Sequence, residues 1–157
     1  MLVTNETIVE SPCRGEVSIK ILDLGGKVLH EYQAPNTIVY GARMILAKLL
    51  VAADHTTTKI SKMKVGTGTT TPTRNNTTLV SDPVVATLTA TNTFPTGKPG
   101  HVEFQATLGG GEGNSSTLTE VGLFTEDGTT MFARQVHGGI QKTSSIQLQY
   151  TWRIIFT

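Results

Sequence analysis

Leu118-Thr119-Glu120-Val121-Gly122-Leu123-Phe124, then Glu126-Asp127-Gly128-Thr129, then Met131-Phe132-Ala133-Arg134 is the run whose reading decides the fold. Two apolar segments flank an Asp-Gly pair. That pattern is a strong short-range signal for a β-hairpin, because a tight turn needs φ > 0 at its central positions. With Asp127 and Gly128 at the tip, Phe124 is expected to face Met131, and Leu123 to face Phe132. These pairs fall on opposite faces, since side chains alternate along a strand. A hairpin apolar on both faces needs cover on both: a second sheet on one, and a helix or a neighbouring subunit on the other.

Downstream, Ile146, Leu148, Tyr150, Trp152, Ile154 and Phe156 alternate with Gln147, Gln149, Thr151 and Arg153. The period of two predicts a long half-buried strand that closes the core of a β-sandwich. Upstream, Val17, Ile19 and Ile21 alternate with polar residues, Asp23-Leu24-Gly25-Gly26 turns, and Lys27–Tyr32 returns as a first hairpin. Ile38, Ala42, Ile45, Leu46, Leu49, Leu50 and Ala53 recur at helical spacing, which predicts one inserted α-helix near residues 38–53, capped by Asn36 or Thr37. Its expected place is a plug over an open end or face of the sandwich. Lys59–Val65 reads as a strand with a basic outer face, Val84–Phe94 as another, and His101–Leu108 as a third with Val102, Phe104 and Ala106 inward. The reading is therefore mainly β: an antiparallel, jelly-roll-like sandwich over residues 15–157 with one helix, preceded by an extended arm over residues 1–14.

Composition fits. Sixteen glycines and few charges suit a turn-rich β fold, and 157 residues are enough for one core but short for two. A net charge of +1 gives no electrostatic reason to expect nucleic acid or an anionic membrane as partner. The lone Cys13 excludes an internal disulfide. Met1–Glu6 lacks the basic and apolar regions of a signal peptide, and no apolar run reaches the roughly 18 residues of a membrane span.

The constellations that could carry chemistry are weak. Gly66-x-Gly68 follows a strand, but a Thr/Pro/Asn loop follows it where a dinucleotide site needs a helix. Gly109–Gly113 lacks the Gly-Lys-Ser/Thr ending of a phosphate loop and reads as a flexible connection. His30, His55, His101 and His137 have no metal-ligand spacing. Glu112, Glu120, Glu126 and Asp127 could pair for glycoside hydrolysis, but a hairpin tip and a flexible loop hold no fixed separation. No catalytic residue, cofactor or metal is expected. Glu120 differs, because it shares a face with Gly122 and Phe124 and needs a partner, with Arg134 and Lys142 as candidates. It reads either as a specificity device at a subunit contact or as a solvated edge residue.

Asn36…Gly41 before a helix, Val65-Gly66-Thr67-Gly68…Pro72…Leu79, Glu120-Val121-Gly122-Leu123-Phe124, Met131-Phe132-Ala133-Arg134 and Lys142-Thr143 together resemble a group of small tailed-bacteriophage virion proteins, over residues 36–157. The resemblance implies an all-β, commonly oligomeric virion component without catalysis. Two roles compete: an outer decoration (cement) protein that stabilises the capsid, and a tail fibre, collar or receptor-binding module. The expected partners are the major capsid protein or tail proteins, with a host surface glycan as a candidate ligand of the Thr/Gly/Asn loops. The expected location is the virion exterior, after synthesis in the host cytoplasm. A homo-oligomer, preferably a trimer, is expected to form through Glu120, Val121, Leu123, Phe124, Met131, Phe132 and Arg134. The N-terminal arm, poor in regular apolar periodicity, is expected to anchor the subunit to a neighbour or to the shell.

Overall fold

Trp152, Tyr150 and Leu148 have no exposed surface, because the strand that carries them runs through the middle of a sheet. The computed structural model describes residues 13–51 and 55–157. Its first sheet has the spatial order β2 (Val28–Pro35), β1 (Cys13–Asp23), β10 (Ile146–Phe156), β7 (His101–Leu108) and β6 (Thr91–Thr93). The second sheet runs β3 (Thr37–Ile38), β9 (Met131–Gln141), β8 (Thr117–Thr125), β4 (Ile60–Gly66) and β5 (Ala86–Thr89). All pairings are antiparallel. The expected mainly-β architecture with two sheets and one helix is what the described residues adopt. Inward residues of both sheets, among them Val17, Ile19, Met63, Val65, Leu108, Leu123 and Trp152, form one core cluster.

Along β10 the alternation holds as far as Ile154, while Phe156 passes beyond the core and is 42% exposed. Strand β1 starts at Cys13, so Cys13 and Arg14, assigned above to the arm, belong to the sandwich; residues 1–12 of that arm lie outside the described residues. Cys13 itself is buried in the core.

Three local expectations need correction. The segment Val84–Phe94 is not one strand: β5 pairs with β4, β6 pairs with β7, and the chain changes sheet at Ala90, whose N–H donates to Ser61 O. The helix α1 spans Gly41–Val51, later than expected, because Thr37 and Ile38 pair with Arg134 and Ala133 as an edge strand. Neither Asn36 nor Thr37 caps it; the chain enters through a turn in which Ala42 N–H donates to Val39 O and Arg43 N–H to Tyr40 O. Ala42 and Ile45 are buried, and Leu46 and Leu49 pack partly against the main core.

The third correction is in the deciding hairpin. Phe124 does face Met131, but Leu123 faces Ala133, because a bulge places Phe132 between the two registers. The connection is also longer than an Asp-Gly turn. Thr125 N–H donates to Thr130 O, and of the tip residues only Gly128 has positive φ, at 70°. Asp127 keeps ordinary φ because its Oδ1 accepts from Thr125 Oγ1 (2.6 Å) and from Thr129 N–H (3.0 Å), a side-chain turn that replaces the strained one. The two-faced hairpin survives. Leu123, Phe132 and Ala133 enter the main core, while Phe124 and Met131 join Val39 and Leu79 in a second cluster on the opposite face.

Candidate functional site

Leu79 belongs to the long irregular connection between β4 and β5, over residues 67–85, and this connection lies on the outer face of the β8–β9 hairpin. An irregular segment of that length stays in place only if something pins it. The pin is Glu120. In β8 its carboxylate is fully buried and accepts five N–H groups. Oε1 accepts from Gly68 N–H at 3.1 Å and Ser81 N–H at 2.6 Å. Oε2 accepts from Val80 N–H at 3.1 Å and from Arg134 Nε at 3.0 Å and Nη2 at 2.7 Å. Arg134, on the neighbouring strand β9, is equally buried and sends its remaining donor, Nη1, to Thr70 O (3.0 Å) and Asn76 Oδ1 (3.2 Å). Thr119 Oγ1 adds a bond to Gly68 O at 2.9 Å.

Cation and anion therefore hold the two ends and the middle of the same loop. Burial alone would raise the Glu120 carboxyl, but the Ser81 N–H, the Arg134 guanidinium and the Val80 N–H outweigh it and hold it below the ordinary carboxylate value.

The glycines of this region follow from the same contact. A Cβ on Gly68 would stand 2.5 Å from Glu120 Oε1, and one on Gly66 2.8 Å from it. Gly66-x-Gly68 is thus a cradle for a protein carboxylate. Gly122, opposite Arg134, leaves room for Leu79 and Phe124, whose atoms would lie 2.9 and 2.7 Å from its Cβ.

Lys142 forms a second clamp. It is fully buried, and Nζ donates to Thr143 O at 2.9 Å, Asn114 Oδ1 at 3.1 Å and Gly110 O at 3.5 Å. Asn114 Nδ2 donates to Gly110 O (2.8 Å), and Ser115 N–H to Lys142 O (3.0 Å). The glycine-rich loop, read above as flexible, is fastened from within. Glycine here supplies turning conformations, with Gly113 at φ 65°. Burial lowers the Lys142 pKa, and Glu112 opposes the shift.

Glu120, Val121, Leu123, Phe124, Met131, Phe132 and Arg134, expected at a subunit contact, are all buried within the subunit and at most 3% exposed. None of them can meet a neighbouring chain in this conformation. The face assigned to a partner is covered by the chain's own loop over residues 67–85. Glu120 is neither an interface device nor a solvated edge residue. Arg134 was correctly named as its partner, while Lys142 serves another loop. The other carboxylates are held separately: Glu126 with Lys59, Lys62 and Ser61, Asp127 in its turn, and Glu112 on Gly109 N–H at 3.1 Å. His30 packs edge-on against Tyr32, and His137 Nδ1 donates to Gly138 O. Among the described residues no three His, Cys, Asp or Glu side chains gather as a metal site.

No protein-family model, curated protein or solved structure matches this chain. The chain spends its fully buried charges on immobilising loops, and it leaves apolar and polar surfaces elsewhere. Strand β2 is exposed on both faces and, among the described residues, paired only with β1, with Val28, Leu29 and Tyr32 between 41% and 54% exposed. An open polar trough of about 590 Å³ runs over the outer face of the first sheet between Glu16, Gln33, Gln105 and Arg153.

Proposed function

We propose that this protein is a non-enzymatic structural component of a tailed-phage virion, bound outside the capsid as a decoration (cement) protein. One observation carries this reading. Seven of the residues on which the phage resemblance rests, drawn from three of its separate pieces, converge on a single device: Glu120 and Arg134 meet as a buried pair, Gly66 and Gly68 cradle the carboxylate, and Leu79, Phe124 and Met131 pack beside it. A shared pattern whose parts lock a loop onto a sheet serves rigidity, which a cement protein needs. The subunit contact in this reading lies on β2, which among the described residues pairs on one edge only and whose exposed apolar side chains suit pairing with another copy in a homotrimer.

A tail fibre, collar or receptor-binding role is the second reading. It is favoured by the polar trough, where amide, hydroxyl, carboxylate and guanidinium groups offer the donors and acceptors that sugar hydroxyls use. Immunogold electron microscopy of virions with antibody raised against the purified chain separates the two. Label over the capsid supports decoration, and label confined to the tail supports the second reading. Absence of label from intact particles overturns both.

A further inference from the structure

The outer face of the first sheet is ordered into rows that cross its strands. Gln33, Ser18, Thr151 and Gln105 stand opposite one another in register through β2, β1, β10 and β7. All four line the open trough of about 590 Å³. With strands about 4.8 Å apart, this uncharged row runs for about 14 Å across the sheet. Its members are amides and hydroxyls, which both donate and accept. They are also tied in place. Ser18 Oγ donates to Glu31 Oε1 at 2.8 Å, Gln33 Nε2 to the same oxygen at 3.1 Å, and Gln105 Nε2 to Thr151 Oγ1 at 3.4 Å.

Charged rows flank the uncharged one. On one side Glu16, Arg153 and Glu103 are in register on β1, β10 and β7. Arg153 Nε donates to Glu103 Oε1 at 2.7 Å, and its Nη1 lies 3.9 Å from Glu16 Oε2. On the other side Lys20 stands opposite Glu31. The trough therefore carries three carboxylates against two cations, and each cation has an acid beside or opposite it. An anionic ligand would meet an excess of negative charge, whereas a neutral polyol can donate its hydroxyls to the carboxylate oxygens. None of the described residues lining the trough is aromatic, so recognition falls to hydrogen bonds and not to ring stacking.

We propose that this trough binds a neutral, extended oligosaccharide laid across the strands along the uncharged row. Such a chain advances by about 5 Å per sugar, close to one strand spacing, so successive sugars meet successive strands. Its hydroxyls donate to Glu16 and Glu31 and accept from the amides of Gln33 and Gln105. The proposal rests on the receptor-binding reading for the biological source of the ligand; the binding itself belongs to this sheet face.

The purified full chain is tested on an array of immobilised neutral and acidic oligosaccharides, and the strongest ligand is measured by isothermal titration calorimetry. Binding to neutral chains is expected, with affinity rising several-fold from disaccharide to tetrasaccharide. Gln105→Ala with Thr151→Ala should weaken it by about tenfold, because two hydrogen-bonding side chains are lost, and should leave the denaturation midpoint unchanged. Gln33→Ala, on the exposed edge strand, should weaken it several-fold by itself. Stronger binding to acidic chains, binding indifferent to these variants, or no binding to any neutral chain overturns the proposal. Gold label confined to the tail with no such binding leaves the tail role standing and overturns the trough as its site. Binding together with label over the capsid retains the trough and removes the tail role.

Discussion

Arg134 approaches Glu120 from one side, placing Nε and Nη2 on the same oxygen, Oε2, at 3.0 and 2.7 Å. The other oxygen is occupied by Gly68 and Ser81, so the pair cannot adopt the two-oxygen fork common for arginine and carboxylate. The arrangement ties two strands and one loop through a single carboxylate. Arg134→Met should destabilise the protein by about 3–5 kcal/mol, because a buried carboxylate is left without its cation. Arg134→Lys should recover little, since an ammonium cannot serve Oε2, Thr70 and Asn76 together. Urea denaturation of the parent and both variants measures the difference.

Acid should reveal the same group. The folded-state pKa of Glu120 lies below its ordinary value of 4.5, so the folded state binds fewer protons than the unfolded chain in that interval. The stabilisation is complete above about pH 4.5 and is lost as pH falls through the lower, folded value. Glu120→Gln should be less stable at neutral pH, yet show a flatter fall below pH 4.5. Thermal melts between pH 3 and 7 provide the comparison, and parallel profiles for both proteins would contradict the assignment.

Lys142→Met should loosen the glycine-rich loop without unfolding the sandwich. It leaves Asn114 Oδ1 and the Thr143 carbonyl without their donor, at about 1–3 kcal/mol. Hydrogen exchange should accelerate over residues 109–116 and stay slow in β10. Uniform acceleration across the chain would mean that Lys142 supports the whole core.

Trp152→Ala should cost about 3–5 kcal/mol through lost transfer energy and a residual cavity, because the indole is completely buried in the central strand. A denaturation midpoint equal to the parent's would remove Trp152 from the core.

If β2 forms the subunit contact, light scattering of the purified chain should give a trimer, and Leu29→Lys, at an exposed position of that strand, should lower the mass to that of a monomer. An unchanged mass would assign the contact elsewhere.

The sandwich was legible because period-two alternation is a local signal: Ile146 to Ile154 and Val102 to Ala106 show which side is buried without knowledge of any distant residue. The two-faced hairpin was legible for the same reason. What covers its second face was not, because Leu79 and Glu120 are far apart in sequence and nothing periodic links them. Gly66-x-Gly68 resembled part of a ligand loop because a glycine's sequence context does not say which atom approaches it; only the folded chain shows that the atom is Glu120 Oε1. Likewise a buried lysine and a run of glycines look like a charge and a linker until folding removes water and requires each polar atom to find a partner. Alternation and turn chemistry, which act between near neighbours, determined the strands. Desolvation of charged groups, which acts only once distant segments meet, decided where the loops are fastened and which face the chain keeps for itself.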